Sequence, residues 1–192
     1  ADGYFILPYT IGEYLSKYIS TEKIPNDSKE FLDAEKNVKE KIRFFMNNNG
    51  KYSVDYFHKK LGKIMWNKCG MARNEKSLKE AIKEITDLKD LFWLEIKVPG
   101  ESNKYNEELA KAGRVADFLE LGQLFAQDAL NREESCGGHF REEYQTKDGE
   151  AQRKNKFQYV AAWEYVKNSE KSILHKEKLK FDNVEVKERS YK

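Results

Sequence analysis

The stretch that decides the fold is Glu107–Asn131, which reads EELAKAGRVADFLELGQLFAQDALN. Apolar residues recur in it at intervals of three and four, and they form two stripes rather than one. A helix with two apolar faces has neighbours on two sides, and small residues such as Gly113, Ala116 and Gly122 would let those neighbours approach closely. We therefore expect this helix to be the middle member of an antiparallel bundle.

Further helices are predicted upstream of this one. Apolar residues keep helical spacing over residues 31–46, Ser53 caps the next helix, and Asn74 begins a third helix that ends by residues 99–100. The polar connections between them are short, which indicates antiparallel neighbours.

The period of the sequence changes after residue 155. Residues 157–166 are rich in aromatic and β-branched side chains, residues 167–171 supply a turn, and residues 173–179 can return beside the first strand. Alternation at residues 184–186 predicts a short third strand. The predicted fold is mainly α, an antiparallel bundle of three to four long helices followed by a small antiparallel β-hairpin or sheet at the C-terminus.

Composition limits the classes of function. The chain has 35 basic and 33 acidic residues, and the two signs are interleaved, whereas a nucleic-acid-binding face needs a concentrated positive stripe. We therefore expect no nucleic-acid partner. The two cysteines, Cys69 and Cys136, are too few for a disulfide framework and are typical of a reducing compartment. No apolar run reaches the roughly 20 residues that span a bilayer.

Few residues offer catalytic or metal chemistry. Cys136 and His139 have the spacing of zinc ligands, and Cys69 or His58 could join them, but a second pair at matching spacing is missing. Cys136 could instead be a nucleophile with His139 as its base. We favour the interpretation of Cys136 as a small buried thiol.

The carboxylates near this cysteine have two interpretations. They could act as a general acid and base, but we expect them to be ion-pair partners of Arg132 and Arg141. The four are Glu133, Glu134, Glu142 and Glu143. A glycine-rich phosphate loop of either the Walker or the dinucleotide type is absent from the sequence, so we expect this chain to bind no cofactor by that route.

Residues 134–143, ESCGGHFREE, are here named the signature motif. The motif resembles the Glu-Ser-Arg-Gly-Ala-His-x-Arg-x-Asp signature of succinate dehydrogenase and fumarate reductase flavoprotein subunits. The likeness extends to residues 42–50, 57–73 and 189–191, and residues 1–20 are similar to the last helix of that family's flavin domain. Eight motif residues are carried over, with a structural or interface role: Glu134, Ser135, Cys136, Gly137, Gly138, His139, Arg141 and Glu143.

The resemblance implies a non-catalytic C-terminal portion of such a subunit. It implies four segments: residues 1–24 from the end of the flavin domain, the bundle at 25–132, a loop at 133–155 and a β-rich extension at 156–192. This portion would brace the FAD domain and help to dock the iron-sulfur subunit, and it would touch the membrane anchor only indirectly. The parent complex would interconvert succinate and fumarate with electron transfer to or from quinone, at the cytoplasmic side of the inner membrane.

The family's catalytic and FAD-binding residues lie upstream of Ala1, so the resemblance implies that this chain alone is inactive and binds neither FAD nor a metal. The motif also departs from the family pattern. Cys136 stands where the pattern has arginine and Glu143 where it has aspartate, so a guanidinium fork able to hold two acceptors is lost. Arg141 and the backbone amides of Gly137 and Gly138 are candidates to compensate.

An alternative is an independent helical adaptor with a β-hairpin arm and no enzymatic activity. The first twenty residues distinguish the two hypotheses, because so much apolar area is either docked on the chain's own bundle or covered by another domain. A self-sufficient adaptor should bury Phe5, Ile6, Leu7, Tyr9 and Ile11. If the flavin domain is absent, the chain should instead associate with itself through residues 4–19.

Overall fold

The computed structural model describes residues 1–166 and 172–187, which form two compact units, Ala1–Arg43 and Phe44–Lys192. The predicted turn at residues 167–171 and the family-like ending at residues 189–191 lie outside the described residues. Five α-helices and a C-terminal antiparallel strand pair confirm the predicted fold class.

The first unit contains α1 (Asp2–Tyr9), which continues through a π-helical turn at Thr10–Tyr14 and a 3-10 turn at Leu15–Tyr18. The apolar residues that distinguish the two hypotheses are each between 56% and 66% exposed; they are Phe5, Ile6, Leu7, Tyr9 and Ile11. The first unit by itself therefore does not bury these side chains.

The next helix, α2 (Lys29–Asn47), crosses from the first unit into the second. Phe45, near its C-terminal end, is buried and stacks on Trp93 with ring centroids 5.7 Å apart. Phe31 and Val38, which belong to the same predicted apolar stripe, are exposed.

The second unit is built on three long helices, α3 (Val54–Cys69), α4 (Glu75–Glu95) and α5 (Glu107–Asn131). Ser53 caps α3 by accepting a hydrogen bond from the Tyr56 N–H, and Asn74 caps α4 through a reciprocal capping box with Ser77. Both predicted caps are confirmed. The predicted bounds of the central helix are those of α5.

Contacts between these helices give their directions. Gln123 of α5 donates to Thr86 of α4 over 2.9 Å, and Lys89 pairs with Glu120 at 3.2 Å, so α4 and α5 are antiparallel. The ring of His58 in α3 lies 5.7 Å from that of Phe118 in α5, and Leu61 and Met65 of α3 approach Gly122, so α3 and α5 are parallel.

The close approach predicted for small residues occurs at Gly122. A Cβ atom there would lie 3.3 Å from the Cδ1 of Leu61. The same prediction is wrong for Gly113, where an added Cβ would have no neighbour within 4 Å, because that face of α5 turns away from α3 and α4.

Two small sheets complete the second unit. A parallel pair, β1 (Tyr52–Ser53) and β2 (Ile96–Lys97), was not predicted. The predicted hairpin is β3 (Tyr159–Glu164) against β4 (Ile173–Lys178), with Tyr159 opposite Lys178. The predicted third strand at residues 184–186 is wrong: these residues are described and not paired, because alternation alone supplies no ladder partner.

Candidate functional site

The signature motif follows the C-terminus of α5, and three of its polar residues are buried although five of its ten residues are exposed. Glu134, Ser135 and Arg141 are the buried polar residues of the described chain, each at most 2% exposed. Buried charges are stable only when they are paired and hydrogen-bonded. The partners of these three residues therefore define what the motif does.

Arg141 connects the end of α5 to the start of α4. Its Nη1 donates to the carbonyl oxygens of Ala129 (2.9 Å) and Leu130 (3.2 Å), two acceptors that the helix end leaves unsatisfied. Its Nε donates to Glu143 Oε2 over 3.1 Å. The other oxygen of Glu143 accepts a hydrogen bond from the N–H of Glu75, in the first turn of α4.

The charge on Glu143 suits this position. Burial raises the pKa of Glu143, but hydrogen bonds from the Glu75 N–H and from Arg141 outweigh burial and leave the pKa below its ordinary value. A carboxylate at a helix N-terminus is also favoured by the helix dipole. Glu143 is therefore ionised and joins two helix ends through Arg141.

Ser135 links the two ends of the motif by hydrogen bonds to the backbone of Arg141. Its Oγ accepts from the Arg141 N–H over 2.8 Å and donates to the Arg141 carbonyl oxygen over 3.1 Å. The Ser135 N–H donates to the carbonyl oxygen of Gln152 over 2.9 Å. These bonds fix the backbone of Arg141, so the guanidinium is held in position at the end of α5.

Arg73 binds the C-terminal end of α3, as Arg141 binds that of α5. Its Nε donates to the carbonyl oxygens of Cys69 (3.2 Å) and Gly70 (3.0 Å) at the C-terminal end of that helix. Its Nη1 donates to Nδ1 of His139 over 2.9 Å. The Arg73 backbone also bonds to the motif, through the Phe140 carbonyl oxygen and the Glu142 N–H.

His139 links Arg73 to the end of α5. Its Nε2 lies 2.9 Å from the carbonyl oxygen of Arg132, so Nε2 carries the proton and Nδ1 accepts from Arg73. Burial lowers the pKa of His139, and the charges of Arg73, Arg141 and Arg132 lower it further against the opposing effect of the Arg132 carbonyl. The imidazole is neutral and both ring nitrogens are engaged.

This geometry bears on the hypotheses for Cys136. Cys136 and His139 pair through their backbones, N–H to O at 2.8 and 3.0 Å, but the imidazole has no nitrogen available to activate the thiol. The expectation of a buried thiol is also wrong, because Cys136 is exposed and Cys69 is the buried cysteine. Gly137, which follows Cys136, has a φ of 58°, a conformation that favours glycine.

Arg132 and Glu134 attach the hairpin to the helices. Arg132 Nη1 lies 3.1 Å from Glu134 Oε1, and the guanidinium donates to the carbonyl oxygens of Phe157 and Tyr159, both at 3.3 Å. The second oxygen of Glu134 accepts from the Lys154 N–H over 2.7 Å. Glu134 with Arg132 and Glu143 with Arg141 are the predicted ion pairs.

The other two carboxylates have different partners. Glu133 pairs with Lys156 at 2.9 Å, and Glu142 accepts from the amide of Asn74 over 2.7 Å.

Among residues 1–166 and 172–187, no three His, Cys, Asp or Glu side chains come together as a metal-binding group. Side chains engage some of the N-terminal amides of the helices in the second unit. Ser53, Asn74 and Asn106 cap α3, α4 and α5, and Glu143 takes the Glu75 N–H. No described helix has the length and apolarity needed to cross a bilayer.

Arg73 is the main residue of this site whose role the sequence did not reveal. It lies within residues 57–73 of the family likeness, 66 positions from its partner His139. The available signal is an arginine three residues after a helix stop at Gly70, where a guanidinium can bind the last carbonyls of the helix.

The family model described as fumarate reductase flavoprotein C-term matches residues 58–191. The fumarate reductase flavoprotein subunit of Helicobacter pylori strain J99 is 30% identical over 140 residues, which are 73% of this chain and 20% of the relative. That of Haemophilus influenzae is 26% identical over 144 residues, 74% of this chain and 24% of the relative. The chain thus spans about a fifth to a quarter of the length of these relatives.

Solved structures give the same fold. An E. coli quinol fumarate reductase chain superposes with a TM-score of 0.73 at 18% identity and covers 91% of this chain and 29% of that chain. The Mycobacterium smegmatis Sdh1 complex gives a TM-score of 0.67 at 20% identity and covers 86% of this chain and 27% of that chain.

Proposed function

The chain belongs to the family of C-terminal domains of succinate dehydrogenase and fumarate reductase flavoprotein subunits, and from this premise we propose that it braces the FAD-binding part of such a subunit and helps to dock an iron-sulfur subunit. The parent complex interconverts succinate and fumarate, with electron transfer to or from quinone. FAD belongs to the parent subunit, the iron-sulfur clusters belong to the partner subunit, and catalysis lies outside this domain.

One observation carries the proposal. The signature motif uses its charged residues to hold helix ends together, as Arg141 and Glu143 do for α5 and α4. A catalytic acid, base or nucleophile must be able to reach the substrate, whereas the side chains of Arg141 and Glu143 are hydrogen-bonded within the domain. The arrangement supports a rigid structural domain.

The first unit supports attachment to a larger body. In α1 and the turns that follow, exposed apolar side chains occur on every side, as at Tyr4, Phe5, Leu7 and Tyr9. A helix that is apolar all round is normally enclosed by other protein. In the proposed parent the flavin domain encloses this segment, and without that domain it drives self-association.

The location proposed for this domain in the cell is that of the parent complex. We propose that the domain is peripheral, on the cytoplasmic side of the inner membrane, and that it meets the membrane anchor only through the iron-sulfur subunit.

The experiment is to recover the native protein from the organism that makes it, with an antibody raised against this chain, and to measure bound flavin, iron and activity. The proposal expects one flavin per chain, co-purified iron-sulfur protein, and quinone-coupled interconversion of succinate and fumarate. Recovery of a polypeptide of this size without flavin would contradict it and favour the adaptor hypothesis.

A further inference from the structure

One asparagine in the sequence is followed by glycine, and it is Asn49, in the connection between α2 and β1. Asparagine is among the residues that heat damages most readily. The damage begins when the peptide nitrogen of the next residue attacks the side-chain carbonyl carbon. Glycine hinders this attack least because it has no side chain. The dipeptide of Asn49 and Gly50 is therefore the most reactive asparagine position that the sequence offers.

The side chain of Asn49 is free to turn towards the Gly50 nitrogen. Asn49 is exposed, and within residues 1–166 and 172–187 its amide has no hydrogen-bond partner. The neighbouring Asn48, by contrast, donates to the carbonyl oxygen of Trp93 over 3.5 Å. The backbone of Asn49 is held by an isolated antiparallel bridge to Lys97. Segments held by so few bonds open at a low free energy, so this bridge restrains the reaction only weakly.

Gly50 lies where the main chain has no spare room. A Cβ atom on Gly50 would overlap the backbone of Glu95, the last residue of α4. The side chain of Glu95 also holds the following residue, because its Oε2 accepts a hydrogen bond from the N–H of Lys51 over 3.2 Å. The segment therefore combines a free, exposed amide with a confined backbone.

We propose that Asn49 is a site of spontaneous deamidation and that the modified chain loses the contact between this segment and the end of α4. The Gly50 nitrogen forms a bond to Cγ of Asn49, and the bond from Cγ to the side-chain nitrogen breaks. That nitrogen leaves as ammonia with the Gly50 proton, so a cyclic imide remains. Water then opens the ring at one of its two carbonyl carbons and gives aspartate or isoaspartate, without oxidation or reduction.

The two products act differently on the structure. Aspartate at position 49 adds a surface charge and keeps the length of the main chain. Isoaspartate routes the main chain through the side-chain carbon, so one methylene group is inserted before Gly50. The backbone of Glu95 leaves no space for this insertion, so the bridge to Lys97 and the hydrogen bond from Lys51 to Glu95 should break.

The first test measures the rate of the reaction. The 192-residue chain is incubated at mildly alkaline pH, folded or unfolded in guanidinium chloride, and the tryptic peptide of residues 44–51 is followed by mass spectrometry. We expect Asn49 to deamidate before Asn47 and Asn48, at a folded rate within about tenfold of the unfolded rate, because only a weakly held segment must open. A slower folded rate, or faster deamidation at Asn47 or Asn48, would overturn the proposal.

The second test measures the structural effect. A methyltransferase specific for isoaspartate labels that product alone and gives its fraction in the aged chain. As this fraction rises, the melting temperature should fall, by about 2–4 °C or more for the fully modified chain. Asn49→Asp, which carries the charge without the inserted methylene, should lower the melting temperature by no more than about 2 °C. Asn49→Gln, aged in the same way, should keep its melting temperature, because glutamine forms a cyclic imide far less readily.

The variants separate this site from damage elsewhere in the chain. If isoaspartate forms at position 49 and the aged chain melts like the fresh chain, the claimed loss of contact with α4 is overturned. If aged Asn49→Gln loses as much stability as the aged unsubstituted chain, the damage lies at other residues and the proposal fails. Neither result bears on the proposed function, which does not depend on this segment.

Discussion

Arg73 and His139, 66 positions apart in sequence, share a hydrogen bond of 2.9 Å between Nη1 and Nδ1. Through this bond the C-terminal end of α3 is tied to the signature motif, which in turn holds the ends of α4 and α5. The bond requires a neutral imidazole, because a protonated Nδ1 can no longer accept and would face a guanidinium.

The first prediction is that the stability of the chain depends on pH through His139. Its pKa is lowered in the folded state, whereas an unfolded histidine titrates at about 6.5. Protons therefore bind the unfolded state preferentially as pH falls below about 6.5, and the stabilisation is lost progressively down to the folded pKa. Above that range it is fully present. Urea denaturation between about pH 7 and pH 5 should show the free energy of unfolding falling.

His139→Gln should remove this pH dependence over the same range, and His58→Gln, at an exposed histidine, should preserve it. An unchanged slope in His139→Gln would assign the dependence to other groups.

The second prediction concerns the buried guanidinium of Arg141. Arg141→Ala removes the ion-pair partner of Glu143 and the donor to two helix carbonyls, and it should cost about 3–5 kcal/mol of unfolding free energy. Arg141→Lys keeps the charge but cannot reproduce the fork, so it should recover only part of that loss. Chemical denaturation measures both. Arg114→Ala, at an exposed arginine of α5, should change stability by no more than about 0.5 kcal/mol.

The helices were predictable from sequence because their signals are local. Ser53 and Asn74 are side-chain caps that precede segments with helical apolar periodicity. The apolar periodicity of α5 begins and ends with the helix. The burial of Glu134 and the exposure of Cys136 were not predictable in the same way. The burial of Glu134 depends on a residue distant in sequence, the backbone of Lys154, whereas Cys136 stands next to Gly137, whose positive φ residue types alone do not reveal.

The third prediction compares two glycines of α5. Gly113→Ala adds a methyl group in open space and should stabilise the chain by up to about 1 kcal/mol through helix propensity. Gly122→Ala has the same propensity gain but presses on Leu61 and Met65, so its free energy of unfolding should be lower than that of Gly113→Ala by about 1–3 kcal/mol. Thermal melts of both variants test this. Equal effects would show that α3 and α5 are not in close contact at Gly122.

The fourth prediction is that the isolated chain associates with itself through residues 4–19. These residues expose much apolar surface, and Ile11→Asp should reduce association by placing a charge in it. Light scattering after gel filtration over a range of concentrations provides the measurement. A strict monomer at high concentration, unchanged by Ile11→Asp, would count against this prediction.

The fifth prediction is that the isolated chain binds neither FAD nor succinate. Each long helix of the second unit has a side-chain cap on one of its first N–H groups, and Arg141 is bonded to helix carbonyls and Glu143. Flavin fluorescence titration and calorimetry with succinate should show no saturable signal. Saturation at one flavin per chain would place a cofactor site within these residues.

The most direct test of the central claim is to read the gene upstream of the codon for Ala1. We predict an open reading frame that continues in frame for several hundred residues and carries a glycine-rich dinucleotide-binding motif near its start, so that this chain is the C-terminal domain of a flavoprotein subunit. A start codon immediately upstream would contradict it, and the family likeness would then describe ancestry rather than function.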